Sequence, residues 1–240
     1  MKVSFCTASK GRTHHIKMTW KNNIDVGRDC DFVLVSYGKD EELDEYVKEE
    51  LFPYLWYRDQ GGTLRKKAEF NYYQTDAEYF HMSKSKNLSH RLSNGEYLVC
   101  LDADTYIGPR MVQKSLLALE ENKYMSSHWT DDIFGLPRKV FFELGGYDET
   151  FEGWGSEDVD MRIRCQNLGI KNIHMPPQAY KVITHGDEDR IANYAPEFRK
   201  IYNGNQEKVK LHQENKTLKV NLNGFTKHRV VKNFEEEFVI

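Results

Sequence analysis

Residues 96–109 read EYLVCLDADTYIGP, an apolar, β-prone run that passes without a break into Asp102-Ala-Asp104 and a Gly108-Pro109 turn. Working outward, the same kind of unit recurs. Val3-Ser-Phe-Cys-Thr7 is a short apolar strand, followed by a helical face of Ile16, Met18, Trp20 and Ile24. Asp31-Phe-Val-Leu-Val-Ser-Tyr37 is a second strand, closed by Gly38 and followed by an acidic, helix-favouring stretch over 40–54. Residues 79–92 form a further helix with Phe80, Leu88 and Leu92 apolar. Strands alternating with helices predict an α/β fold around a mostly parallel sheet, whose ligand crevice lies at the carboxyl ends of its strands. In an extended backbone Asp102 and Asp104 would share a face there, with Ala103 opposite. Two hard oxygen donors so placed suit a divalent cation that bridges phosphates. Solvated turn acids are the other reading, because Asp is favoured where strands end.

Composition narrows the classes. The 240 residues carry 34 Lys plus Arg against 37 Asp plus Glu, a formal charge of -3, which argues against a nucleic-acid partner. Hydrophobic residues at 39% suffice for one sizeable core, and a mean hydropathy of -0.73 describes a solvated surface. Cys6, Cys30, Cys100 and Cys165 form no CxxC pair and read as buried thiols of a reducing compartment. The run from Val3 to Cys6 is too brief for a signal-peptide core, and no uncharged stretch nears the ~18 residues of a membrane span. The expected location is the cytoplasm, with association at a membrane's cytoplasmic face left open.

The second half adds chemistry. Residues 143–164, ELGGYDETFEGWGSEDVDMRIR, combine glycines at 145, 146, 153 and 155 with aromatic anchors and seven acids. The glycines permit tight turns and close ligand approach. Ser156-Glu157-Asp158 starts a helix with Val159, Ile163 and Leu168 toward the core, placing two acids in its positive first turn. One acid suffices as a cap; a cluster interleaved with Trp154 suggests a site.

At this point the chain resembles a glycosyltransferase of the GT-A fold. LDADTYIGP at 101–109 is similar to the strand-terminal DxD motif, and GGYDETFEGWGSEDVDMRIR at 145–164 to the GWGxED segment of the β-1,4-galactosyltransferase and chondroitin-polymerase-like galactosyltransferase group. VSFCTASKGR at 3–12 resembles that group's nucleotide-binding opening, and KVITHGDEDR at 181–190 its metal-ligand histidine segment. The motifs fall in order over about residues 1–200. The resemblance implies a GT-A domain over 1–202, with a nucleotide-sugar-binding half (1–108) and an acceptor half (109–202), followed by a β-rich extension at 203–240.

By resemblance, Asp104 ligates the metal, usually Mn2+ with Mg2+ as substitute, Asp102 supports the metal or donor ribose, and His185 is a further ligand. A loop histidine in so polar a stretch is otherwise read as exposed. Val182 stands where the group has a coordinating Met, so water or donor oxygens would replace it. Asp158 becomes the general base for the acceptor hydroxyl, Glu157 and Gly155 line the acceptor site, and Trp154 offers its face to a sugar ring. Thr7, Ala8 and Arg12 at the first strand's end, with Ala103 beside the DxD acids, would meet the nucleotide. Lys86 and Asn87 are donor contacts or, equally, part of a solvated helix face. Ser36-Tyr37 replaces the acid that many relatives carry for the base, so UDP rests on the family alone.

The adjacent His14 and His15 read as surface residues, since neighbours on a helix do not face one ion. Residues 186–196 read as a lid over the donor. In the extension, residues 218–222 alternate like a strand, Asn223-Gly224 is a turn signal and Phe225 begins a return strand, a hairpin that packs on the core or on another copy of the chain. The sequence thus points to a metal-dependent inverting glycosyltransferase of polysaccharide biosynthesis that uses a nucleotide diphosphate sugar and a glycan or lipid-linked glycan acceptor. A sugar nucleotidyltransferase and a non-catalytic glycan- or nucleotide-binding module are the alternatives.

Overall fold

A computed structural model describes residues 2–127, 133–184, 186, 188, 191–199 and 202–240, with the side chains of Tyr202 and Asn203 excepted. The first strands and helices fall as expected: β1 (Val3–Ser9), α1 (Thr13–Val26) and β2 (Asp31–Ser36). On α1 the buried face is Ile16, Trp20 and Ile24, at helical spacing, whereas Met18 is 54% exposed. The acidic stretch forms α2 (Glu41–Tyr46), a π-helical turn (Val47–Leu51) and α3 (Phe52–Tyr54). Then come the hairpin β3 (Trp56–Arg58) and β4 (Leu64–Lys66), and β5 (Glu69–Thr75), which pairs in parallel with β2 from Asp31 opposite Glu69. Helix α4 (Met82–Leu92) leads to β6 (Tyr97–Cys100), β7 (Thr105–Ile107) and α5 (Pro109–Glu120). The second half of the chain holds β8 (Tyr124–Ser127), β9 (Phe134–Pro137), α6 (Arg138–Leu144), α7 (Glu157–Asn167), β10 (Asn172–Met175) and β11 (Tyr180–Val182).

With β12 (Arg229–Lys232) and β13 (Glu236–Val239), the main sheet has nine strands among the described residues, in the order β10-β8-β9-β6-β1-β2-β5-β12-β13. Its centre, β6-β1-β2-β5, is parallel, and antiparallel partners flank it on both sides. Both faces are covered: along β2, Phe32 and Leu34 pack with α1, α2 and α5, while Val33 and Val35 pack with α4. Helices α6 and α7 cover Leu98 on the α4 side. That alternation explains why the strands read as continuous apolar runs. Among the described residues no helix is long and apolar enough to cross a membrane. All four cysteines are free and buried, and burial pushes the Cys30 thiol up to about 11.

Three local expectations are corrected. His15 is buried, not on the surface, and its ring packs 3.9 Å from that of exposed His14. Residues 218–222 form no strand; the chain runs from α8 (Tyr202–Glu214) through an extended segment, and the hairpin is β12 (Arg229–Lys232) with β13 (Glu236–Val239), joined to the main sheet through β5. The backbone of 218–222 is drawn elsewhere, with Val220 N donating to Leu144 O at 3.1 Å. Helix α7 buries Asp160, Met161, Arg164 and Cys165 and leaves Val159 and Ile163 only half-buried, while Leu168 at its C-terminal end packs against the core as expected. Its rotation is fixed by Arg164, which donates to Asp160 Oδ2 (2.7 Å) and to the carbonyls of Leu144 (3.0 Å) and Gly146 (2.9 Å). A fully buried guanidinium needs those partners, and they outweigh the pull of Ile163.

Candidate active site

The expected site lies at the carboxyl edge of β1 and β6, which pair in parallel. Leu101 N donates to Cys6 O (2.9 Å) and Thr7 Oγ1 to Leu101 O (2.6 Å), so the two strand ends are tied together where the acids begin. Thr7 is buried and its hydroxyl is committed to that bond, while Ala8 and Arg12 are half-buried at the same edge. The expected extended Asp102-Ala-Asp104 is instead a turn, closed by Thr105 N donating to Asp102 O at 3.1 Å. The chain must leave the sheet here to enter β7, and a turn at Asp achieves it. Both acids stay half-exposed. Ile183 N donates to Asp104 O (2.9 Å), fastening the end of β11 beside the second acid. His185 lies outside the described residues, as do Asp187, Asp189 and Arg190 of the expected lid. Among the described residues no three His, Cys, Asp or Glu side chains gather closely enough to hold a metal ion alone.

Opposite the acids stands a cluster built from α4 and α7. Lys86 Nζ donates to Glu157 Oε1 at 2.8 Å and to Asp158 Oδ2 at 2.5 Å, with its charge 5.2 Å from the centre of the Tyr147 ring. Lys86 is 6% exposed and Asn87 fully buried, so neither belongs to a solvated helix face. Asn87 joins α4 to the glycine-rich loop: Nδ2 donates to Tyr147 O (2.8 Å) and Glu149 Oε1 (3.0 Å), and Oδ1 accepts from Tyr147 N (2.8 Å). His90, one turn on, donates from Nδ1 to Lys86 O (2.7 Å), and burial holds its imidazole neutral, at about 3.

The two carboxylates are not equivalent. The Asp158 side chain keeps 18% exposure against 5% for Glu157, so Asp158 faces the crevice. Burial opposes the Glu157 charge, but the Lys86 ammonium outweighs it and holds that carboxyl below its ordinary range. For Asp158 burial wins: despite Lys86, and with the Glu157 and Asp102 charges adding repulsion, its carboxyl is pushed up to about 8. Its other oxygen, Oδ1, is buried and meets no hydrogen-bond partner among the described residues. Such an orphaned acceptor calls for a ligand group or water.

The loop between α6 and α7 presents this cluster. Gly145, Gly146, Gly153, Gly155 and Ser156 all have positive φ, from 69° to 100°. At Gly146 an added Cβ would lie 2.5 Å from Asn87 Oδ1. Trp154 and Gly155 are half-buried in the turn ahead of α7. Sequence reasoning missed four residues here. Tyr194 is buried with its ring 5.6 Å from Phe80, and burial together with the charges of Glu157 and Asp102 pushes its phenol up. Its hydroxyl is without a hydrogen-bond partner among the described residues. Nearby, Asn193 Nδ2 donates to Lys10 O (2.8 Å), docking this part of the expected lid at β1. Asn205 and His212 on α8 hold the loop from behind. Nothing in the periodicity of the sequence marks them.

Residues 116–187 match the family described as the N-terminal domain of galactosyltransferase. Validoxylamine A glucosyltransferase from Streptomyces hygroscopicus subsp. jinggangensis is 43% identical over 42 residues, 18% of this chain and 10% of the relative, so the matched region is about a tenth of that relative's length. Among solved structures, S. aureus TarS 1-349 in complex with UDP-GlcNAc has a TM-score of 0.60 at 11% identity, covering 81% of this chain and 62% of that one. The S. aureus TarS structure has a TM-score of 0.59 at 12% identity over 79% and 38% of the two chains. The chain therefore spans less than two thirds of these proteins. The likeness shows the fold: a mixed α/β architecture of GT-A type, with a large central sheet flanked by helices.

Proposed function

We propose that this protein is a metal-dependent, inverting glycosyltransferase that moves a hexose or N-acetylhexosamine from a nucleotide diphosphate sugar to a glycan hydroxyl. The observation that carries the reading is Asp158: one carboxylate oxygen is held by Lys86, and the other is buried and meets no partner among the described residues, in a side chain that keeps 18% exposure. A carboxyl at about 8 is tuned to take a proton near neutral pH. Asp158 Oδ1 receives the acceptor hydroxyl's proton as that oxygen attacks the anomeric carbon. Lys86 fixes the carboxylate and balances the charge that remains. The Trp154 face binds the acceptor sugar, while Glu157, expected as an acceptor contact, is buried against Lys86 and supports the site through it; no protein nucleophile is needed, so the anomeric configuration inverts. The donor set at Asp102 and Asp104, two half-exposed carboxylates on one turn, fits a divalent cation, with donor oxygens, water and His185 completing it. When bound, Mn2+ or Mg2+ there would stabilise the departing nucleoside diphosphate. Arg12, Ala8 and Ala103 line the same edge for the nucleotide. A TarS structure of this fold contains UDP-GlcNAc, which supports UDP as the donor's carrier. Residues 1–202 act as the transferase domain, at the cytoplasmic face of a membrane where its acceptor is lipid-linked.

The test is nucleoside diphosphate release from UDP- and GDP-sugars with Mn2+. Release that depends on the sugar and the metal supports transfer, pyrophosphate formation would reveal nucleotidyl transfer, and binding without turnover would favour a non-catalytic module.

A further inference from the structure

Residues 203–240 leave no legible site in the sequence, yet they hold the loop on which the proposed acceptor site depends. Asn205, 1% exposed on α8, donates from one amide nitrogen to two carbonyls, Glu152 O (2.8 Å) and Gly155 O (3.0 Å). These two residues bracket Gly153-Trp154, so a single side chain closes the turn that presents the tryptophan. One helical turn on, Lys208 Nζ donates to Thr150 O in the same loop. A further turn on, His212 Nδ1 lies 2.6 Å from Asp160 Oδ1. Asp160 is the carboxylate paired with Arg164, so the imidazole nitrogen is the donor. Positions 205, 208 and 212 share one face of a helix, and that face grips the loop and the first turns of α7.

We propose that α8 is part of the acceptor site, with Asn205 the positioning residue that fixes the turn carrying Trp154. This rests on the reading of Trp154 as an acceptor contact. Beside the apolar contact of buried Val209, α8 presents side-chain donors to backbone carbonyls of a glycine-rich loop, and Gly153 (φ 69°) and Gly155 (φ 100°) lose much backbone freedom when that loop is ordered. An amide bridging two carbonyls supplies the missing closure, and its loss frees Trp154 without reaching the β1 edge where the donor would bind.

The experiment is Asn205→Asp in the full chain, which keeps the shape but replaces the donor nitrogen by an acceptor. Two readouts are needed. Hydrogen exchange of the amides at 150–157 should quicken about tenfold while β1, β2 and β6 stay protected. With UDP-GlcNAc or UDP-galactose and nitrophenyl β-glycosides as probe acceptors, the acceptor KM should rise about tenfold and the donor KM stay unchanged. Lys208→Met, at a half-buried position, should shift both readouts the same way by a smaller factor, and decides the matter if Asn205→Asp does not fold. Unchanged exchange at 150–157 overturns the proposal, as does a fall in apparent kcat in step with folded fraction while both KM values stay unchanged. If the wild type transfers to none of the probes, the glycosyltransferase reading fails, while the exchange arm still decides whether Asn205 fixes the turn.

Discussion

Lys86 Nζ lies 2.5 Å from Asp158 Oδ2, joining the middle of α4 to the first turn of α7 across 72 residues of sequence. Because the same ammonium also holds Glu157 at 2.8 Å, one cation serves two carboxylates and leaves the pair one negative charge in excess when both are ionised. Burial outweighs Lys86 and, with repulsion from the Glu157 and Asp102 charges, keeps the Asp158 carboxyl high enough to work as a base.

Removing the cation is therefore costly in two ways. Lys86→Met should destabilise the fold by about 3 kcal/mol, because two buried carboxylates lose their counter-ion, read as a lower midpoint in urea unfolding. Its residual activity should need a higher pH than the wild type's, since Asp158 without Lys86 holds its proton more tightly. A variant with unchanged stability and an unchanged pH profile would remove Lys86 from the account.

The sign of the wild-type pH dependence follows from the same group. Below about 8 Asp158 is mostly protonated, so kcat/KM should rise from pH 6 toward 9 and then level. Stability should run the other way. The folded chain keeps a proton that the unfolded chain has released above the ordinary Asp value of 3.8, so unfolding free energy falls as pH rises through the window from 3.8 to about 8. Asp158→Asn should flatten that slope, measured as Tm against pH.

Much of this was legible in the strands and little of it in the contacts. β1, β2 and β6 are buried on both faces and announce themselves as apolar runs. β5 does not, because Glu69, Asn71 and Gln74 interrupt its pattern, although it joins the parallel centre. The DxD acids, the glycines of the loop and the start of α7 could be read in place. The partners of Lys86 and Asn87 could not, since those bonds span 60 to 72 residues. Helix α8 was invisible for a further reason: its polar face satisfies backbone carbonyls and carries no periodic apolar signal.

Gly146→Ala tests the loop. The position has φ 71° and a Cβ there would crowd Asn87 Oδ1 at 2.5 Å and Phe225 Cε1 at 2.7 Å. The expected cost is about 2 kcal/mol, a fall in Tm of roughly 4 to 8 °C for a chain of this size. A wild-type Tm would mean that the loop relaxes without loss.

Asp104→Ala should leave the fold intact and abolish ligand stabilisation. With UDP and Mn2+ at ~100 times the dissociation constant, the wild type gains ~2.7 kcal/mol, seen as a raised Tm that needs both components. The variant should show no such shift, while its circular dichroism matches the wild type.

The central claim is that Asp158 takes the acceptor's proton, and Asp158→Asn tests it most directly. The amide keeps the shape of the side chain but cannot serve as a base. The variant should still show the Tm shift with UDP and Mn2+ and lose acceptor-dependent release of nucleoside diphosphate by about 10³-fold. A variant that binds the nucleotide normally and turns over within about threefold of the wild type would contradict the account.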